Sequence, residues 1–447
     1  MIKAYNLEAK EQIIFLSSNG IGENIYLCHL KYGKSIINDK MKKLLAFLVA
    51  FWAISEVSAQ KKNFTYKFYG FIRGDLFYNT RANMAPVDGN FYLYPLDKKP
   101  DADGKDLNAG PNGSFYTFTT RLGLDLTGPN IGTARTSAKV ETDFGGFSAS
   151  TTMLRIRQAY VALDWDKSNL LIGQTWHPLF GSVMPDILNL STGAPFQPFN
   201  RSPQIRYQYK TGKVKLTASA LWQLQYLSSG PKGMSEEYIK NSCVPEFYIG
   251  ADYTSSNGWL AGAGIHLISL KPRTSSEWNG QEYKVNERMT TTSYEIHFKY
   301  TGRNYAFAAK SLMASCLDQT ALIGGYGISA IHPENGEQEY TPYRHSTTWV
   351  NFTYGTKWKA HLFAGYTKNM GTTKALASTT KYGMGLDIDQ LLSVNVAFSY
   401  NLPHWQFGME YNPATAWYGS TNMENGKVTD THAVTNHRIL ALVMYYF

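Results

Sequence analysis

Residues 116–144 read YTFTTRLGLDLTGPNIGTARTSAKVETDF. Tyr116, Phe118, Thr120, Leu122, Leu124 and Leu126 take alternate positions, with Thr117, Thr119, Arg121, Gly123, Asp125 and Thr127 between them. After a turn containing Gly and Pro, Ala134, Ala138, Val140 and Phe144 continue one face while Arg135, Lys139, Glu141 and Asp143 make the other. Alternation with period two marks a strand with one apolar and one polar side, and two such strands joined by a turn form a hairpin. The charged side requires water, and the greasy side requires some other medium.

The same test carried from Phe64 to Phe447 predicts sixteen strands and no convincing helix. The spans are about 64–79, 115–127, 134–144, 153–165, 169–176, 204–210, 214–226, 246–253, 259–271, 288–300, 304–314, 346–355, 358–369, 388–400, 405–418 and 430–447, with ends good to about two to four residues. Connections after even-numbered strands are about 2–6 residues long and those after odd-numbered strands about 8–35, a sorting that outer-membrane barrels use, with short periplasmic turns and long extracellular loops. A soluble sandwich has no reason to sort its loops this way. The expected fold is therefore all-β, a transmembrane antiparallel up-and-down β-barrel of about sixteen strands with its apolar face in lipid and its polar face toward a water-filled bore.

The N-terminus fits export. Met41, Lys42 and Lys43 precede an apolar run from Leu44 to Ile54 that is too short to span a bilayer as a helix, and Val57-Ser58-Ala59 offers a small-residue cleavage site before Gln60. This predicts a signal peptide over 41–59, a mis-assigned upstream extension over 1–40 and a barrel domain over 60–447, located in the cell outer membrane. The whole chain carries a net charge of +9, and the mature part about +7, with 36 basic against 29 acidic residues. Only Cys243 and Cys316 remain in it, too few for a disulfide framework, and two separate thiols are expected.

LRIRQAYVALDW (154–165), then LLIGQTWHPLF (170–180), resemble consecutive strands of Gram-negative porins, more narrowly of DcaP-like porins, and the closing MYYF is similar to the aromatic signal read by barrel-assembly machinery. The resemblance implies that the third long connection, about 177–203, folds into the channel. It also implies that small organic acids are among the solutes and that the chain forms a homotrimer. The second external loop, about 145–152, is short for a trimer latch, and the N-terminal coiled-coil segment of DcaP-like proteins is missing.

If the short turns set the register, Arg121, Lys139 and Arg157 lie at similar height on adjacent strands facing the lumen, with Arg155 one step higher and Arg73 and Arg206 nearby. Glu141, Asp125 and Asp143 share this wall, and Asp186 lies in the inward-folding loop. A basic wall opposite an acidic loop makes a transverse field that low-dielectric surroundings would focus on passing solutes. These residues are the expected pore-lining and selectivity set, with a mild anion preference. His177, His297 and His361 read as polar lining, and Asp101, Asp103, Gly104 and Asp106 as a solvated loop, since their spacing departs from a calcium-binding loop. No catalytic motif, metal site or cofactor site is expected, so an enzyme is not. No nucleic-acid partner is expected either, because the cations alternate along strands instead of forming one external patch. The expected function is a porin for passive diffusion of small hydrophilic solutes, in contact with outer-membrane lipid. The alternative is a plugged barrel that acts as a structural or adhesin protein through its external loops.

Overall fold

The computed structural model describes residues 64–86, 89–145 and 152–447; the signal-peptide reading and the tip of the second external loop fall outside them. The strands in chain order are β1 Thr65–Asn79, β2 in two segments, Asn112–Tyr116 and Arg121–Ile131, β3 Ala134–Gly145, β4 Thr152–Asp164, β5 Ser168–Trp176, β6 Arg201–Thr211, β7 Val214–Leu221 and β8 Glu246–Thr254. There follow β9 Trp259–Leu270, β10 Met289–Thr301, β11 Tyr305–Ser315, β12 Arg344–Gly355, β13 Trp358–Gly371, β14 Ile388–Asn401, β15 Trp405–Thr421 and β16 Val428–Tyr446. Each pairs antiparallel with its neighbours in the chain, and β1 also pairs with β16, from Phe71 opposite Tyr446 to Asn79 opposite Arg438. The sheet therefore closes, which leaves no edge of unpaired N–H and C=O groups to face hydrocarbon.

One rim carries the tight periplasmic turns, at 132–133, 165–167, 212–213, 255–258, 302–304, 356–357 and 402–404. The other carries the external loops L1 (80–111), L3 (177–200), L4 (222–245), L5 (271–288), L6 (316–343), L7 (372–387) and L8 (422–427), the second connection lying outside the described residues. Exposed aromatic residues line the outer surface beside the short turns, among them Tyr66, Phe68, Tyr209, Trp259, Tyr354, Trp358, Phe398 and Trp405. Several are cross-strand pairs, such as Trp259 with Tyr300 at 4.3 Å between ring centroids and Trp358 with Tyr400 at 4.5 Å. Such a belt belongs at the level of lipid headgroups, where a ring can sit half in hydrocarbon.

The opening hairpin holds with one correction. Phe71 pairs with Arg121 and Asp75 with Tyr116, so β2 uses five steps where β1 uses four. The extra residue sits in the break at 117–120, where the Thr120 N–H donates to the Thr117 carbonyl at 3.0 Å. One inserted residue reverses which side every later side chain faces. Tyr116 and Phe118, expected on the lipid side with Leu122, therefore pack into the interior cluster, while Phe115 is exposed outward. At the other end of the prediction, regular β7 stops at Leu221, short of residue 226.

The bore is not wet along its whole length. L1 and L3 fold into its external half, where Phe91, Leu93, Phe180, Phe196 and Phe199 pack against inward-facing Trp349 and Phe363 in one apolar cluster. Above it, the helix α1 (Glu237–Ser242) in L4 and a small sheet of Gly324–Ile331, Gln338–Pro342 and Lys381–Met384 share a second buried cluster through Tyr238, Tyr326 and Ile328. Cys243 is exposed and Cys316 buried, and both are free thiols.

Candidate permeation site

L3 crosses the lumen and is fastened to strands far from its own roots. Near its start, the Lys310 ammonium on β11 donates to the carbonyls of Leu179 (2.6 Å) and Phe180 (3.2 Å) and pairs with Glu295 on β10 at 3.2 Å. Farther on, the Asp186 N–H donates to Asn351 Oδ1 at 2.9 Å, and its carboxylate meets Lys359 and His361 on β13. At the tip, the N–H groups of Leu188 and Asn189 donate to one oxygen of Glu410 on β15, at 2.9 and 3.2 Å. Arg73 on β1 donates to the Leu188 carbonyl at 2.8 Å. Two glycines provide notches for the loop: a Cβ at Gly365 would lie 2.4 Å from the Phe196 ring, and one at Gly408 would lie 2.5 Å from Leu188 Cδ1. On the return, the Phe199 N–H donates to Thr320 O at 2.7 Å and Asn200 Nδ2 donates to Gln319 O at 2.9 Å.

Facing this loop is the charged wall of β1–β6. Arg157 is buried and bridges Glu141 at 2.9 Å and Asp143 at 2.7 Å; Arg155 holds Asp143 at 2.8 Å and Arg121 approaches Glu141 at 3.7 Å. Lys139 pairs with Asp125 at 2.6 Å, and Arg73 with Asp75 at 2.7 Å. The expected common level of Arg121, Lys139 and Arg157 does not hold. Arg121 is level with Asp143 and Arg155, whereas Lys139 is level with Asp125 and Tyr160, nearer the periplasm. With Arg121 opposite Asp143 and Lys139 opposite Asp125, acids alternate with the cations and relieve the repulsion that a purely basic row would suffer.

The acidic side of the expected field is likewise paired. Burial works to raise the Asp186 pKa, but His361 and Lys359 outweigh it and hold the carboxyl at about 2. A depressed folded value means the tie to β13 is complete above the ordinary 3.8 and is lost only as pH falls toward 2. Channel conductance is therefore expected to follow the same pH profile in Asp186→Asn as in the unmutated protein between pH 5 and 8. A profile that flattens on this substitution would show Asp186 titrating in that window.

Sequence reasoning missed two features of the wall. Arg201 is fully buried between the rings of Trp176 (4.8 Å), Phe199 and Tyr226 (both 5.3 Å), with the Tyr226 hydroxyl at 2.6 Å. It forms no ion pair with an acid among the described residues. Arg206, expected as pore lining, likewise forms no ion pair with an acid among the described residues and donates to Gln204 Oε1 at 2.9 Å and to the Trp176 carbonyl. With these two, the wall holds more guanidinium and ammonium groups than its carboxylates Asp75, Asp125, Glu141, Asp143 and Asp164 can offset.

Two clusters with the look of ion sites are occupied by hydrogen bonds. His177, Glu246 and His266 lie buried together. The Leu179 N–H donates to His177 Nδ1 at 3.1 Å, which leaves the ring proton on the Nε2 that faces Glu246. Glu246 also accepts from His266 (2.8 Å), Gln319 (3.2 Å) and Gln223 (2.7 Å), so it is a hub joining the root of L3 to L4 and L6. In L1, Asp101 accepts from the N–H groups of Asp103 and Lys105, and Asp106 from those of Lys99 and Asn108.

Residues 52–221 match the profile of the DcaP outer membrane protein family. No curated protein matches the sequence. Among solved structures, the outer membrane channel DcaP of Acinetobacter baumannii is similar at 20% identity and a TM-score of 0.64, over 87% of this chain and 99% of that one. OmpT of Vibrio cholerae is similar at 13% identity and a TM-score of 0.52, over 87% and 99%. The anion-selective porin from Comamonas acidovorans is similar at 10% identity and a TM-score of 0.52, over 86% and 100%. At these identities the likeness is one of fold, a closed sixteen-strand antiparallel barrel.

Proposed function

We propose that the protein is an outer-membrane diffusion channel for small hydrophilic solutes with a preference for anions. The observation that carries this reading is the fastened L3 facing a wall whose cations outnumber its acids, Arg201 and Arg206 forming no ion pair with an acid among the described residues. Exposed lumen charges act through water and are screened beyond about 8 Å at physiological salt, so the preference is mild and depends on the narrowness of the passage. The test is reconstitution in planar bilayers under a potassium chloride gradient. The expected result is stepwise conductance and a reversal potential on the chloride side, moved toward potassium by Arg121→Glu with Lys139→Glu. An unchanged reversal potential in that double variant would remove the wall from the selectivity mechanism.

The apolar packing of L1 and L3 inside the bore supports a second reading, a plugged barrel that works through its external loops. The same recording separates the two, because a plugged barrel gives no steps.

A homotrimer is part of this proposal. The periplasmic aromatic belt is interrupted on β2–β4, where Leu126, Ala138, Val161 and Leu163 stand in place of rings. Ala138 and Val161 are register partners on β3 and β4. A belt needs rings where lipid headgroups lie, and an aliphatic stretch suits a neighbouring barrel. Ala138→Trp with Val161→Trp is expected to reduce the mass of the detergent-solubilised assembly to that of a monomer. An unaltered mass in that variant would move the interface elsewhere.

A further inference from the structure

Beneath the root of L3 lies a cavity of about 210 Å³, walled by β5–β8 and β10. That is smaller than the roughly 300–1,000 Å³ of drug-sized pockets, so its occupant would be of metabolite size. Its charges are unevenly satisfied. Asp252 spends one oxygen on Lys215 and the other on His297, each at 2.8 Å, which closes that group on itself. Arg206 donates only to the neutral oxygens of Gln204 and Trp176, and its Nη1 makes no hydrogen bond among the described residues. A guanidinium with open N–H groups and no carboxylate is a site for one anionic oxygen group.

The rest of the lining fixes what that anion can be attached to. Gln208 Nε2 donates to Thr217 Oγ1 at 3.1 Å, leaving the Gln208 carbonyl and the Thr217 O–H to bond hydroxyl groups. Trp176 and Tyr248 complete the lining, although the Trp176 ring itself is stacked on Phe180 at 4.0 Å. The Tyr248 ring is itself held in place by Gly250 and Gly264, where any Cβ would lie 2.4 and 2.3 Å from its hydroxyl oxygen. A second negative charge on the occupant would share the cavity with Asp252.

We infer that this cavity is a binding subsite for a small monoanion with a hydroxylated body, a sugar acid in chemical class, whose carboxylate rests on Arg206. The inference builds on the channel reading by adding retention to passage. A solute held here is released into the lumen beside L3 instead of merely drifting past it.

Isothermal titration of the purified protein in detergent tests the inference, with gluconate as probe, glucose as its neutral counterpart and malate as a dianion. Gluconate is expected to bind at least tenfold more tightly than glucose, and malate no more tightly than gluconate. Arg206→Gln is expected to weaken gluconate tenfold or more. Thr217→Val, which keeps the side-chain shape, is expected to weaken gluconate severalfold while leaving butyrate, which lacks hydroxyls, unchanged. Equal binding of gluconate and glucose, or malate binding tenfold tighter than gluconate, would overturn the assignment. A protein that conducts in bilayers yet binds no gluconate refutes the subsite and leaves the channel standing. Binding without conductance refutes the channel and leaves the subsite.

Discussion

Replacing Arg157 with methionine is expected to cost the barrel about 3–5 kcal/mol, the range measured when one partner of a buried ion pair is removed. Its guanidinium is nearly sealed from solvent, with 4% of the side chain exposed, and bridges Glu141 at 2.9 Å and Asp143 at 2.7 Å. Methionine fills similar volume, so the loss is chiefly electrostatic: two carboxylates on one face of β3 lose the cation between them. Glu141 keeps Arg121 at 3.7 Å, the Tyr69 hydroxyl at 3.1 Å and the Gln158 side chain, while Asp143 keeps Arg155 at 2.8 Å. Denaturant titration of detergent-refolded protein measures the cost. Arg157→Lys should lose less, since the charge stays while the two-pronged geometry goes. Arg157→Met combined with Asp143→Asn should recover part of the loss, because neighbours in one network do not add. The surviving acids should also shift the reversal potential toward cations. A single variant within about 0.5 kcal/mol of the unmutated protein, the range of ordinary surface changes, would mean that water reaches the ladder and that the wall is softer than its geometry implies.

How much of this wall could be read from the sequence follows from what a period of two can encode. Parity along a strand tells which side a residue takes, and it placed Arg73, Arg121, Lys139, Glu141, Arg155, Arg157 and Arg206 on the inner face of strands that lie close to the expected spans. Parity fails where the backbone inserts a residue, as at 117–120, and so Tyr116 and Phe118 were given the wrong side. It carries no information on height across strands, and the pairing puts Arg121 opposite Asp143 and Lys139 opposite Asp125. Nor does it say where a loop comes to rest. The entry of L3 into the lumen was implied by resemblance, but the docking of Asp186 on Lys359 and of Leu188 on Glu410 joins residues far apart in the chain. The run FYLY at 91–94, which buries itself in the bore, alternates with nothing and so gave no signal.

Glu410→Ala should release the tip of L3 and widen the passage without unfolding the barrel. The carboxylate is buried, and one of its oxygens accepts the N–H groups of Leu188 and Asn189 while the other accepts from Asn395 at 2.9 Å. Alanine leaves those two N–H groups without a partner in a site closed to solvent, a cost of about 1–3 kcal/mol for each. The strand ladders on either side stay intact, so the cost falls on the loop, which can escape it by lifting from its seat. Single-channel conductance is then expected to rise about twofold with added open-state noise, because a loop that moves no longer sets one width. Glu410→Gln retains an acceptor oxygen for both N–H groups and should leave the conductance near that of the unmutated channel. Gly408→Leu attacks the same seat by size instead of by hydrogen bonding, since even its Cβ would lie 2.5 Å from Leu188 Cδ1. If L3 sets the width, the alanine and leucine variants must agree in direction despite sharing no chemistry. Should both conduct like the unmutated channel, the narrowest point lies elsewhere, in the apolar packing where L1 meets Phe199 and Phe180.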